Sequence, residues 1–110
     1  MSAYYQSEDL DRFEEMAAGA PELWERFQSW YGATFAEGAL SVREKALIAL
    51  AVAHAIPCPY CIDAYSKTAL ESGSNLEQMT EAVQVAAALR AGATLAHGLM
   101  MKTVVDRLSM

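Results

Sequence analysis

The stretch from Ala46 to Ala53 reads Ala-Leu-Ile-Ala-Leu-Ala-Val-Ala and is apolar on every side of a helix. A helix with no polar face belongs in the middle of its fold, because no side of it suits water. Its start is marked by Ser41 and Glu44, which match a capping box: the serine oxygen accepts the Glu44 amide and the carboxylate reaches back to the Ser41 amide. That gives Glu44 a structural role ahead of any chemical one. Its end is marked by Pro57, and Pro59 opens the next helix, where the missing proline N–H would have had no partner. Around Pro59 stand both cysteines of the chain, in Cys58-Pro59-Tyr60-Cys61. Cys58 falls at the N-cap of the new helix and Cys61 in its first turn.

The rest of the chain reads as further helix. Residues 1–8 form a short arm carrying Tyr4 and Tyr5. A first helix is predicted from Asp9 to Ala18, with Leu10, Phe13 and Met16 on one face. Gly19-Ala20-Pro21 interrupts it, and a second helix runs from Pro21 to Ala36. Its Trp24, Phe27, Tyr31 and Phe35 recur at helical spacing and are assigned to core or interface packing. The helix opened by Pro59 runs to Ser72, with Gly73 as its stop. Asn75 caps a fifth helix from Leu76 to Arg90, Gly92 breaks it, and a sixth runs from Thr94 to Leu108 with His97 as a core residue. No run of β-branched residues or hairpin dipeptide suggests a strand. The sequence therefore predicts an all-α chain, a compact bundle of about six helices forming one domain over residues 1–110.

A formal net charge of −6, with eight lysines and arginines scattered along the chain, excludes a basic stripe for nucleic acid and disfavours anionic membranes. The N-terminus is polar and acidic, so the sequence predicts no leader peptide. No apolar run approaches the roughly 20 residues of a membrane span, and a soluble cytoplasmic protein is expected. The apolar fraction, 54 %, exceeds the usual range of about 45–50 %. A small helical domain with that surplus buries it against copies of itself, so a homo-oligomer is expected.

In a reducing compartment a C-x-x-C pair points to redox or metal chemistry more than to a structural staple. A thiol attacks as thiolate, and the positive end of a helix stabilises that anion, which makes the first turn a suitable place for a reactive cysteine. With a peroxide, the attacking sulfur becomes a sulfenic acid and the second cysteine condenses with it, releasing water. A nearby base and a proton donor would assist. His54, Asp63, Tyr65 and, one helix back, Glu44 are near in sequence, and Tyr65 follows Cys61 by one helical turn. The alternative in another class is a thiol-based site for a soft ion such as zinc or trivalent arsenic, using the two cysteines with His54 and His97.

Glu44, the apolar helix after it and the C-x-x-C resemble the alkylhydroperoxidase AhpD-like fold of the carboxymuconolactone decarboxylase superfamily, over about residues 40–100. A closer likeness spans nearly the whole chain: Pro21 to Trp24, Phe35 to Leu40, Cys58 to Tyr65 and Leu76 to Val83 resemble the peroxidase-like proteins associated with arsenosugar biosynthesis. The resemblance implies an oxidoreductase of peroxiredoxin type, with Cys61 the peroxidatic thiol and Cys58 the resolving one. It implies no cofactor or metal, a small-molecule peroxide substrate, an external dithiol reductant and a trimer or hexamer. The family's histidine position is Tyr65 here, and its glutamate position aligns with Ala46, two residues from Glu44. A relay in this chain would then use His54 and Tyr65.

Overall fold

The computed structural model describes residues 6–109. Tyr4 and Tyr5 of the expected arm lie outside them, while Ser7 and Glu8, also assigned to that arm, belong to the first helix. The described residues form a 3-10 helix, Ser7–Gly19, and four α-helices: α1 Pro21–Phe35, α2 Val42–Ala55, α3 Pro59–Glu71 and α4 Leu76–Leu108. No strand occurs among them.

The N-terminal segment differs from the predicted α-helix in kind and in length. Its pattern is compatible with the tighter winding. Leu10, Phe13 and Met16 recur every third residue, and so do Asp9, Arg12 and Glu15. A 3-10 helix has three residues per turn, so each set stacks into a straight row. The charged row is tied together, with Arg12 bonded to Asp9 at 3.5 Å and to Glu15 at 3.1 Å. The apolar row leans on α1, where Phe13 meets the edges of Trp24 (centroids 5.0 Å apart) and Phe27 (6.1 Å).

Local chemistry sets the other boundaries. Pro21 begins α1, and at its end Lys45 of α2 donates to the carbonyls of Thr34 (2.8 Å) and Ala36 (2.6 Å), closing acceptors that a helix end leaves open. The Ser41–Glu44 capping box is present. Asn75 and Gln78 form a second one at the head of α4. α3 ends in a Schellman motif: Ser74 N–H reaches Ala69 carbonyl at 2.9 Å, Gly73 N–H reaches Leu70 carbonyl at 3.1 Å, and Gly73 takes φ 100°.

α2 packs against α3 and α4, as a central helix should. Its buried side is Ala46, Leu50 and Ala53, facing the buried Ala69 of α3 and Ala86 of α4. Small side chains there let the backbones approach closely. The opposite side corrects the expectation of burial all round: Ile48 is 50 % exposed and Val52 48 %.

The predicted fifth and sixth helices are one helix of 33 residues. Gly92 does not break it. A glycine inside a helix costs only about 1 kcal/mol relative to alanine, far less than a proline, and Thr94 turns its hydroxyl back to the Arg90 carbonyl at 2.9 Å within the helix. The first half of α4 docks on α2, where Arg90 Nη1 donates to the Ala55 carbonyl. The second half projects. Leu95, Leu99, Met100, Met101, Val104, Val105 and Leu108 are all exposed, and His97, expected in the core, is exposed with them. The radius of gyration is accordingly 18.8 Å, against about 13 Å for a compact chain of this length.

Candidate active site

The α2–α3 corner is built by two residues that have no choice. Pro57 cannot continue α2, and Cys58 N–H folds back onto the Ala53 carbonyl at 2.8 Å. Cys58 then serves as N-cap of α3, its Sγ accepting the Cys61 N–H at 3.3 Å, with Pro59 in the first turn. Both cysteines are free thiols of intermediate exposure.

Their environments differ. Burial pushes the Cys61 thiol up to about 11, and its hydrogen bond with Cys58 and the Cys58 charge add to the effect. The expectation of a helix-stabilised thiolate in the first turn therefore does not describe resting Cys61: desolvation outweighs the helix end. It is nevertheless Cys61 that faces an open space. A cavity of about 870 Å³ lies between the 3-10 helix, α1 and α3, and Cys61 lines it with Ala64 and Tyr65. Leu10, Phe13 and Met16 form the wall opposite, and Phe27 and Tyr31 of α1 the side.

Tyr65 stands where the sequence placed it, one turn beyond Cys61. Its hydroxyl bonds that of Tyr31, and its ring stacks on Phe35 with centroids 5.1 Å apart. Its ionisation is strongly suppressed, first by burial, then by the Tyr31 hydrogen bond and charge, and last by the charge of Cys61. At neutral pH it is a proton donor and no base. Tyr60, between the cysteines, donates to Asp9 Oδ2 at 2.9 Å and pins the 3-10 helix over the cavity.

The other candidates lie elsewhere. His54, at the end of α2, donates Nδ1–H to the Leu50 carbonyl at 2.8 Å and does not line the cavity. Glu44 is engaged at the far end of the same helix, about 15 Å from His54 at 1.5 Å per residue. Its carboxylate accepts the Ser41 N–H at 2.8 Å, and the backbone and hydroxyl hydrogen bonds of Ser41 hold it below the usual carboxylate range. Asp63 pairs with Lys67 at 3.0 Å. The proposed four-ligand set of Cys58, Cys61, His54 and His97 is not assembled: among the described residues no three His, Cys, Asp or Glu side chains are grouped to hold a metal ion. The structure thus brings together Cys58, Cys61 and Tyr65, and leaves His54, Glu44 and His97 outside the cavity.

Three lining residues had no signal of their own. Tyr31 sits in the aromatic series Trp24, Phe27, Tyr31, Phe35, whose neighbours pack with centroids 4.9 to 5.6 Å apart, and its hydroxyl looks no different in sequence from a packing ring. Tyr60 and Asp9 meet across 51 positions. Also among the described residues, no helix is long and apolar enough to cross a membrane.

The chain matches the Carboxymuconolactone decarboxylase family over residues 21–100. It is similar to "Uncharacterized protein 4 in cox locus" of Paracoccus denitrificans, 49 % identical over 74 residues, which cover 67 % of each chain. It is also similar to a Methanobacterium thermoautotrophicum protein whose crystal structure was a structural genomics target. That likeness has a TM-score of 0.74 and 34 % identity, and covers 78 % of this chain and 97 % of the other.

Proposed function

The chain belongs to the carboxymuconolactone decarboxylase family, and we propose that it is a thiol-dependent, peroxidase-like oxidoreductase acting on an organic hydroperoxide. The observation that carries the reading is the position of Cys61: one cysteine of a C-x-x-C pair lines a cavity whose walls are mainly aromatic and aliphatic, with Asp9, Arg12, Glu15 and Gln28 also along it. The cavity's size is that of a site for a small organic molecule, and its walls suit a substrate with an apolar body better than hydrogen peroxide.

In this reading the dithiol gives up one proton to solvent, leaving the thiolate on Cys61 while Cys58, its hydrogen-bond partner, stays a thiol. The Cys61 thiolate attacks the terminal peroxide oxygen, an S–O bond forms, the O–O bond breaks, and the departing alkoxide is protonated to the alcohol by Tyr65. Cys58 then attacks the sulfenic acid, giving the disulfide and water. An external dithiol returns the pair to two thiols by exchange. The balance is two thiols and one hydroperoxide to one disulfide, one alcohol and one water. Arsenosugar biosynthesis, the setting suggested by the sequence resemblance, and a cytoplasmic location belong to the same proposal. So does a homo-oligomer, a trimer or hexamer, that covers the apolar second half of α4.

Thiol titration with intact mass, before and after one equivalent of cumene hydroperoxide, tests the reading. The expected result is loss of both thiols with a two-hydrogen mass decrease, reversed by dithiothreitol and absent in Cys61→Ser. Two thiols that react no faster than free cysteine overturn it.

A further inference from the structure

We infer that Tyr31 is a positioning residue of this site: its hydroxyl orients the Tyr65 hydroxyl beside Cys61, making Tyr65 the acid that meets the oxygen leaving a hydroperoxide. The inference rests on the peroxidase reading above and adds a residue from a different helix to it.

Three observations converge. Tyr31 and Tyr65 are bonded through their hydroxyls although 34 positions separate them, and both line the cavity that Cys61 lines. Tyr65 lies close enough to Cys61 to feel its charge, and burial with the Tyr31 bond keeps its proton in place. The conventional proton carriers near the dithiol are occupied elsewhere: His54 on the Leu50 carbonyl, Glu44 in its capping box, and the Asp9 carboxylate by Tyr60 and Arg12.

A phenol works as an acid when something holds its oxygen in place and stabilises the phenolate left behind. Tyr31 does both. When a substrate oxygen accepts the Tyr65 proton, the arrangement in which Tyr31 donates to Tyr65 is selected, and accepting one hydrogen bond strengthens the donation of the next. The ring of Tyr31 is fixed for this by Phe27 and Phe35, with centroids 5.2 and 4.9 Å away. In the step itself, Cys61 sulfur is oxidised to sulfenic acid and the O–O bond is reduced. The alkoxide takes the Tyr65 proton, and the phenolate, hydrogen-bonded by Tyr31, regains one from solvent in exchange for the proton Cys61 gave up.

The test compares two leaving groups in the full-length protein. Cumene hydroperoxide expels an alkoxide that must be protonated, and peracetic acid expels a carboxylate that need not be. Single-turnover oxidation of Cys61, followed by stopped flow, is expected to slow about 10-fold in Tyr31→Phe and about 100-fold in Tyr65→Phe with cumene hydroperoxide, in line with general-acid contributions. With peracetic acid both variants are expected within about twofold of the parent, as no acid is needed. Phenylalanine keeps the ring contacts of Tyr31, and the peracid rate measured on the same sample reports whether the site is intact. Equal slowing with both oxidants, or no slowing with either, overturns the role of Tyr31 while the peroxidase reading stands. A parent protein whose Cys61 ignores both oxidants overturns the peroxidase reading and this inference with it.

Discussion

The two halves of α4 belong to one continuous helix and meet opposite fates. The half before Gly92 docks on α2 through Ala86 and the Arg90 bond to the Ala55 carbonyl. The half after it has no buried residue, with Leu99 66 % exposed, although Leu76, Val85 and Leu89 of the first half are exposed as well. Helix formation is local and runs through both. Docking depends on whether small residues let another backbone approach, and only the first half has α2 opposite it. Apolar content alone therefore does not say which part of a helix is core.

The widest contrast to expect is between Leu50 and Leu99. Leu50 is 2 % exposed, and Leu50→Ala should lower unfolding stability by about 2–5 kcal/mol in urea titrations, as lost burial and a new cavity add together. Leu99→Glu should leave the helical circular dichroism unchanged and instead shift sedimentation to a smaller species, because the proposed subunit contact is disrupted. Loss of helix in Leu99→Glu, or sedimentation of the parent as a monomer at all concentrations, would remove the explanation offered for the open half.

Two glycines sharpen the point about α4. Gly92 sits inside the helix with no atom near an added Cβ, so Gly92→Ala should stabilise by about 0.5–1 kcal/mol. Gly73 holds φ 100°, and Gly73→Ala should destabilise by about 1 kcal/mol, since a side chain resists that conformation. The same thermal-melt assay reads both, and a destabilised Gly92→Ala would mean that the helix is interrupted there after all.

The smallest effect belongs to the packed end, at the dithiol. Cys61 is protonated more readily in the fold than in the open chain, because its ionisation is pushed up to about 11. Its contribution to stability is therefore complete below the unfolded value of about 8.5 and is lost as pH rises from there through the folded value. The difference in melting temperature between the parent and Cys61→Ser should narrow across that window, and a difference that widens would reverse the sign of the argument.

Legibility followed distance along the chain. The Ser41–Glu44 capping box, the Asn75 cap, the Pro59 start and the Gly73 stop were readable because each acts over a few positions. The Cys58–Cys61 pair and Tyr65 one turn on were readable for the same reason. The three-residue rows of the first segment suit a 3-10 winding and an α-helix alike, so they did not decide between the two. His54 and Glu44 looked like site residues because they are near in sequence, and the orientation of α2 takes them away from the cavity.

What the sequence determined by itself is the helical character of the chain, the caps and stops of its middle helices, and a dithiol at the head of one of them, because caps, prolines and apolar runs act through neighbouring backbone groups. What only the tertiary structure decided is which side chains share the cavity. Tyr31 meets Tyr65 across 34 positions and Tyr60 meets Asp9 across 51, and such meetings depend on how α1, α3 and the 3-10 helix pack. The continuity of α4, by contrast, is a local matter: a glycine's small helix cost is outweighed when the residues on both sides favour helix.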